Sequence, residues 1–230
     1  MSLLFQEAKI GKITLKNRIV MPPMCMYSCE NDGKLTNFHK YHYTSRALGD
    51  VGLIIVEASA IEPKGRISSH DVGFWDDEHI ALHKELVQEC HLYGAKMAIQ
   101  IAHAGRKSEV EDSTPISCSS LAFSDKKPFK TPLTASLEDI KNIKKLFLDA
   151  AIRAKKANYD AVELHAAHGY LLCQFLSNLT NKRDDIYGGS LENRCKIVLE
   201  IAKEIKKEVD LPLLVRISAS EWMKDGWNIN

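Results

Sequence analysis

The sequence predicts an α/β fold, a (β/α)₈ TIM barrel of which about strands one to five and helices one to four are present, as one incomplete domain over residues 1–230. Three observations predict it. Short apolar runs alternate strictly with helical stretches, no linker or second composition regime interrupts them, and polar side chains gather where the apolar runs end.

The apolar runs occupy residues 18–21, 51–57, 95–101, 159–164 and 211–217. They are continuous rather than alternating, as strands of a parallel sheet buried on both faces should be. Helices are expected between them, at about 36–48, 77–93, 137–157 and 191–209. Ser136 and Ser190 stand at N-cap positions, where a hydroxyl accepts an otherwise unpaired backbone N–H, and Gly49 and Gly94 stand where helices should stop.

An open doubly wound sheet could accept the same order of elements. That arrangement calls for a glycine-rich turn after the first strand, but Pro22, Pro23, Met24 and Cys25 stand there. Polar groups at the strand ends favour the barrel instead: Cys25 and Tyr27, Glu57, Gln100 and His103, His165 and His168, and Arg216. Five strands leave the first and fifth as unpaired apolar edges, so the chain is expected to be a fragment, a truncated product or a barrel completed by another chain.

Composition narrows the function classes. With 45% hydrophobic and 27% charged residues, the chain can bury one sizeable core. Its 31 basic and 30 acidic residues leave a net charge of +1, too little field to draw in nucleic acid or an anionic membrane. The first twelve residues show no signal or transit pattern, and no apolar run approaches a membrane span, so a cytoplasmic location is expected. Six cysteines without a CxxC pair read as reduced thiols rather than a zinc ribbon or thioredoxin-like site.

The segment HAAHGY, residues 165–170, places two imidazoles and a phenol just past a buried strand. His165 and His168 could ligate a metal, although no HExxH motif or further ligand spacing accompanies them. They could simply bond backbone at a strand end. Or they could polarise a substrate carbonyl, with Tyr170 as a nearby general acid.

HAAHGYL at 165–171, QFLS at 174–177, NKR at 181–183, Asp185, YGGS at 187–190 and ENR at 192–194 together resemble the central signature of the Old Yellow Enzyme family. LKNRIVM at 15–21 and QIAHAGRK at 100–107 strengthen the resemblance, and PMCMYS at 23–28 is similar to a bacterial NADPH dehydrogenase subclass. The resemblance implies FMN as cofactor and NADPH or NADH as a transient reductant. It implies ping-pong reduction of the C=C bond of α,β-unsaturated carbonyl compounds, with an enone as small-molecule partner and a homo-oligomer in the full-length form.

It also implies roles. Pro22, Pro23, Met24 and Cys25 would lie against the flavin ring, with Cys25 tuning its potential and touching substrate. Ala58 would let the ring approach, Gln100 would bond its pyrimidine edge, and Arg216 would hold negative charge there. His165 and His168 would bind the substrate oxygen, Tyr27 would add a hydroxyl, and Tyr170 would donate a proton. Arg106 and Lys107 themselves read as pocket-rim or structural groups, or simply as a solvated basic turn. Without the resemblance, Cys25 reads as a small buried hydrophobe and Arg216 as a salt-bridge partner. Two departures bear on cofactor grip. Phosphate binding in such barrels comes from loops after strands seven and eight, which lie beyond this chain. Pro22 stands where relatives often carry a small hydroxylic residue. A catalytically inactive barrel remnant without stable flavin binding is the alternative, and a metal-dependent barrel hydrolase a more distant one.

Overall fold

The structure is a computed structural model that describes residues 2–228. Its elements in chain order are β1 (Ala8–Ile10), β2 (Ile13–Leu15), β3 (Val20–Met21), α1 (Asn37–Leu48), β4 (Leu53–Ala60), α2 (Ile80–Leu92), β5 (Lys96–Ala102), β6 (Ile116–Ser117), β7 (Leu133–Thr134), α3 (Leu137–Lys156), β8 (Ala161–Ala166), α4 (Leu171–Leu176), α5 (Leu191–Glu208) and β9 (Leu213–Ile217). Five strands form one parallel sheet in the order β3-β4-β5-β8-β9. Neighbours in space are neighbours in sequence, as in the staves of a barrel. A doubly wound sheet would reverse its order at a switch point.

The helices cover the outer face of the sheet. In α3, Ile140, Ile143, Phe147, Ala150, Ala151 and Ala154 are buried at three- and four-residue intervals, and in α5 Ile197, Val198, Ile201 and Ile205 repeat the pattern. Ser136 begins α3 with a reciprocal capping box: its hydroxyl accepts the Asp139 amide at 3.1 Å, and the Asp139 carboxylate accepts the Ser136 amide at 2.9 Å. The Ser190 hydroxyl caps α5 by accepting the Asn193 amide.

The expected element order holds, with shifted boundaries. The first strand shortens to Val20–Met21, and the second helix begins with a 3-10 turn at Asp77–His79 before α2. Gly94 takes the left-handed conformation expected of a helix stop, with φ 73°. Gly49 does not: it ends α1 at φ −74°, and Asp50 supplies the left-handed residue at φ 69°.

Unexpected elements also appear. β1 and β2 form an antiparallel hairpin that turns at Gly11, φ 55°. Leu15, Ile10 and Ile13 carry its apolar side into a cluster with Leu53, Ile55, Ala98, Ala161 and Leu214 on the inner face of the sheet. The hairpin thereby closes the N-terminal end of the interior, which leaves the other end for a site. β6 and β7 pair within the long connection between β5 and α3. β3 and β9 end the sheet, with Val20, Val215 and Ile217 exposed.

Candidate active site

The site lies at the C-terminal ends of the strands. Side chains two apart share a strand face, so Glu163 and His165 of β8 point the same way. The register sets Gln100 beside Glu163 and His165 beside Arg216. Gln100, Glu163 and His165 are buried, and Arg216 is half-buried.

After β8 the chain makes a sharp turn through His168 and Gly169, with φ 58° and 71°. That turn folds the His168 ring back to 5.2 Å from His165, edge to face, and brings Tyr170 to 5.0 Å from His165. The Ser218 hydroxyl accepts the His168 amide at 2.9 Å, and Lys107 donates to the His168 carbonyl at 3.1 Å. The Lys107 ammonium lies 4.8 Å above the Tyr170 ring and 4.7 Å above Phe123. Lys107 is therefore a rim residue that holds the turn in place.

Burial sets the protonation states. It lowers His165 to about 3, helped by His168, Arg216 and Lys107. His168 is lowered for the same first reason, with Arg216 and Lys107 adding to it. Both imidazoles are neutral at physiological pH, so each carries one N–H donor and one acceptor nitrogen. The buried Nδ1 of His165 has no partner. Burial also raises the Tyr170 phenol, which keeps its proton.

On β4, the ladder to β5 slips between Val56 and Ser59. A bulge of this kind re-aims the side chains that follow it. Ala58 and Ala60 line a depression with Ala102, His103, His165 and Tyr170. Glu57 turns instead toward α1, where Tyr43 donates to its carboxylate at 3.1 Å and His39 approaches to 3.6 Å. His103 borders the depression with both nitrogens engaged, one by Glu62 at 2.8 Å and one by the Gly105 amide at 2.9 Å. Glu57 and His103, grouped by sequence with the other strand-end residues, are thus support for the site.

Pro22, Pro23, Met24, Cys25 and Tyr27 form an irregular segment after β3. Tyr27 adopts φ 51° and is 47% exposed. Burial, with Asp71 and Glu57, pushes the half-buried Cys25 thiol up to about 12, and burial with Cys25 and Asp71 raises Tyr27 to about 12. Cys25 is therefore a neutral thiol rather than a thiolate. Arg216 has no ion-pair or hydrogen-bond partner among the described residues, unlike the salt-bridge arginine that a strand end alone would predict.

These features fit a flat aromatic group with a polar edge. Four alanines, Ala58, Ala60, Ala102 and Ala104, line the depression, His165 offers an unpaired buried nitrogen, and the Arg216 guanidinium has no hydrogen-bond partner among the described residues. Among the described residues no three His, Cys, Asp or Glu side chains group as metal ligands, and no helix is long and apolar enough to cross a membrane. Sequence reasoning passed over Glu163, although its two-residue spacing from His165 marks it as an inward-facing carboxylate.

Residues 3–230 match the NADH:flavin oxidoreductase / NADH oxidase family. The chain is 53% identical over 224 residues to an NADPH dehydrogenase of Halalkalibacterium halodurans, an alignment covering 97% of this chain and 65% of that protein. It is 52% identical over 227 residues to an NADPH dehydrogenase of Bacillus subtilis, covering 98% and 66%. Among solved structures, an Old Yellow Enzyme from Pichia matches with a TM-score of 0.91 at 31% identity, over 99% of this chain and 62% of that one. Morphinone reductase matches with a TM-score of 0.87 at 32% identity, over 94% and 62%. The chain thus spans about two-thirds of the length of these relatives, and the Old Yellow Enzyme resemblance and the barrel fold are borne out. By both sequence and fold, the chain belongs to the NADH:flavin oxidoreductase / NADH oxidase family.

Proposed function

We propose that the protein is an FMN-dependent NAD(P)H dehydrogenase that reduces the C=C bond of α,β-unsaturated carbonyl compounds in two half-reactions. The observation that carries this reading is the cluster of His165, His168 and Tyr170 beside an alanine-lined depression, with every ring uncharged. FMN, when bound, supplies the hydride chemistry, accepting from a nicotinamide and returning to the unsaturated substrate.

The side chains do the rest. Arg216 would hold negative charge at the edge of the cofactor ring, Gln100 would bond that edge, and Ala58 with Pro22, Pro23, Met24 and Cys25 would leave room for the ring. Neutral His165 and His168 donate N–H groups to the substrate oxygen and draw electron density from the β-carbon. Tyr27 adds a hydroxyl to the pocket. Tyr170 holds a proton for the α-carbon, and its raised pKa keeps the phenol protonated. NADPH is favoured as reductant because the bacterial relatives carry the name NADPH dehydrogenase.

The test is spectroscopic. The purified chain incubated with FMN and freed of excess should show flavin bands, which anaerobic NADPH bleaches and 2-cyclohexenone restores. A colourless protein points to the inactive remnant. Bands that bleach but do not return with the enone leave a flavin reductase with another acceptor.

A further inference from the structure

The Gln100 side chain is 2% exposed, and its Nε2 donates to the Glu163 Oε1 at 2.7 Å. The two residues are direct partners on adjacent strands, β5 and β8. No other group among the described residues hydrogen-bonds the Gln100 amide. A carboxamide has a donor end and an acceptor end, and its last torsion is soft, so an isolated glutamine presents either end to a ligand. An ionised carboxylate accepts only. Beside Glu163, Gln100 must turn its NH₂ toward the carboxylate and its Oε1 away from it.

We propose that Glu163 is a positioning residue: it fixes the Gln100 carboxamide with its oxygen toward the cofactor, so that the site presents an acceptor to a ring N–H. This rests on the flavin reading above. Burial raises the Glu163 carboxyl, while the hydrogen bond from Gln100 and the charge of Arg216 pull it back. The site therefore combines a fixed acceptor at Gln100 with a cation at Arg216, the two complements of an imide edge: one for its N–H, one for its oxygen.

The experiment is an FMN titration followed by fluorescence quenching, in a double-mutant cycle on Glu163 and Gln100. Glu163→Leu removes the acceptor and frees the amide, and should weaken FMN binding about tenfold, the value of one neutral hydrogen bond. Glu163→Asp, one methylene too short to reach, should do the same and serves if the leucine variant does not fold. Glu163→Gln keeps an acceptor oxygen. Its two amides can pair in either sense, halving the competent population, so the loss should be about twofold. Gln100→Ala should weaken binding about tenfold, and Glu163→Leu added to it should cost nothing more. Glu163 losses that persist in the Gln100→Ala background, or variants at Glu163 that bind like wild type, overturn the positioning role and leave the flavin reading intact. A wild-type chain that quenches no FMN fluorescence overturns both.

Discussion

The Glu57 carboxylate accepts the Met26 amide hydrogen at 2.7 Å, so a side chain turned away from the barrel mouth holds the segment that carries Cys25 and Tyr27 into it. The segment needs that hold, because Tyr27 adopts a left-handed φ of 51° that a bulky residue rarely takes unaided. The bulge in β4 makes the contact possible by aiming Glu57 at α1. Burial raises the Glu57 carboxyl to about 7 against the hydrogen bonds from Met26 and Tyr43.

Glu57 therefore makes stability pH-dependent. Its folded pKa lies above its unfolded value of 4.5, so the native state binds more protons across that window. Its stabilising effect is complete below about 4.5 and is lost as pH rises through about 7. The penalty above that is on the order of 3 kcal/mol. Glu57→Gln should remove the dependence: urea unfolding at pH 4.5 and pH 8 should show the variant gaining about that much relative to wild type at the higher pH. Parallel curves for the two proteins would refute the assignment.

Three buried histidines act in the opposite sense. Burial lowers His83 and His165 to about 3 and His39 to about 4, from 6.5. Their folded values lie below the unfolded one, so stability is complete above about 6.5 and drains as pH falls through 3–4. His83 is the cleanest probe, being fully buried with Nδ1 on the Tyr159 hydroxyl at 2.7 Å and Nε2 unpartnered. His83→Gln should shrink the stability lost between pH 7 and pH 5 by about 2 kcal/mol, roughly one proton over the titrating range. An unchanged acid limb would show that His83 is not protonated on unfolding.

The parallel strands and long helices were legible because burial on both sides writes strands as unbroken apolar runs and burial on one side writes helices at a 3.6-residue period. The hairpin of β1 and β2 was not, because three residues per strand leave no measurable alternation. β6 and β7, two residues each, depend on pairing across a long loop, which no local pattern records. In the site, the six-residue span of His165, His168 and Tyr170 was enough to bring their rings together. The face that Glu57 takes was not legible: position in a strand predicts its face only while the ladder stays in register, and the bulge between Val56 and Ser59 breaks it. The two-residue spacing of Glu163 from His165 gives its face, but its partner Gln100 lies on another strand, and only the register of β5 with β8 brings the two together.

Gly105 should be intolerant of any side chain. It adopts φ 60°, and an added Cβ would stand 2.2 Å from the Gln174 Oε1. Gln174 is a junction: Oε1 accepts from the Arg106 amide and the Ser117 hydroxyl, and Nε2 donates to the Ala104 and Gly169 carbonyls. Displacing it would unpair buried groups next to the His168 turn. Gly105→Ala should cost about 2–4 kcal/mol in chemical denaturation. A loss under about 0.5 kcal/mol, the ordinary effect of a surface substitution, would mean that Gln174 relaxes freely.

Tyr170→Phe separates proton donation from shape. The ring stays, so the edge-to-face contact with His165 at 5.0 Å and the cation of Lys107 at 4.8 Å are kept. Only the hydroxyl goes. If Tyr170 supplies the proton to the α-carbon, the half-reaction that consumes an enone should slow by about 10²–10⁴-fold, the range for loss of a positioned general acid. The half-reaction with NADPH needs no such proton and should change by less than threefold, ~0.6 kcal/mol. Stopped-flow absorbance measures both on one preparation. Equal slowing of the two would mark the hydroxyl as a packing group, and an enone step that barely moves would assign the proton to water.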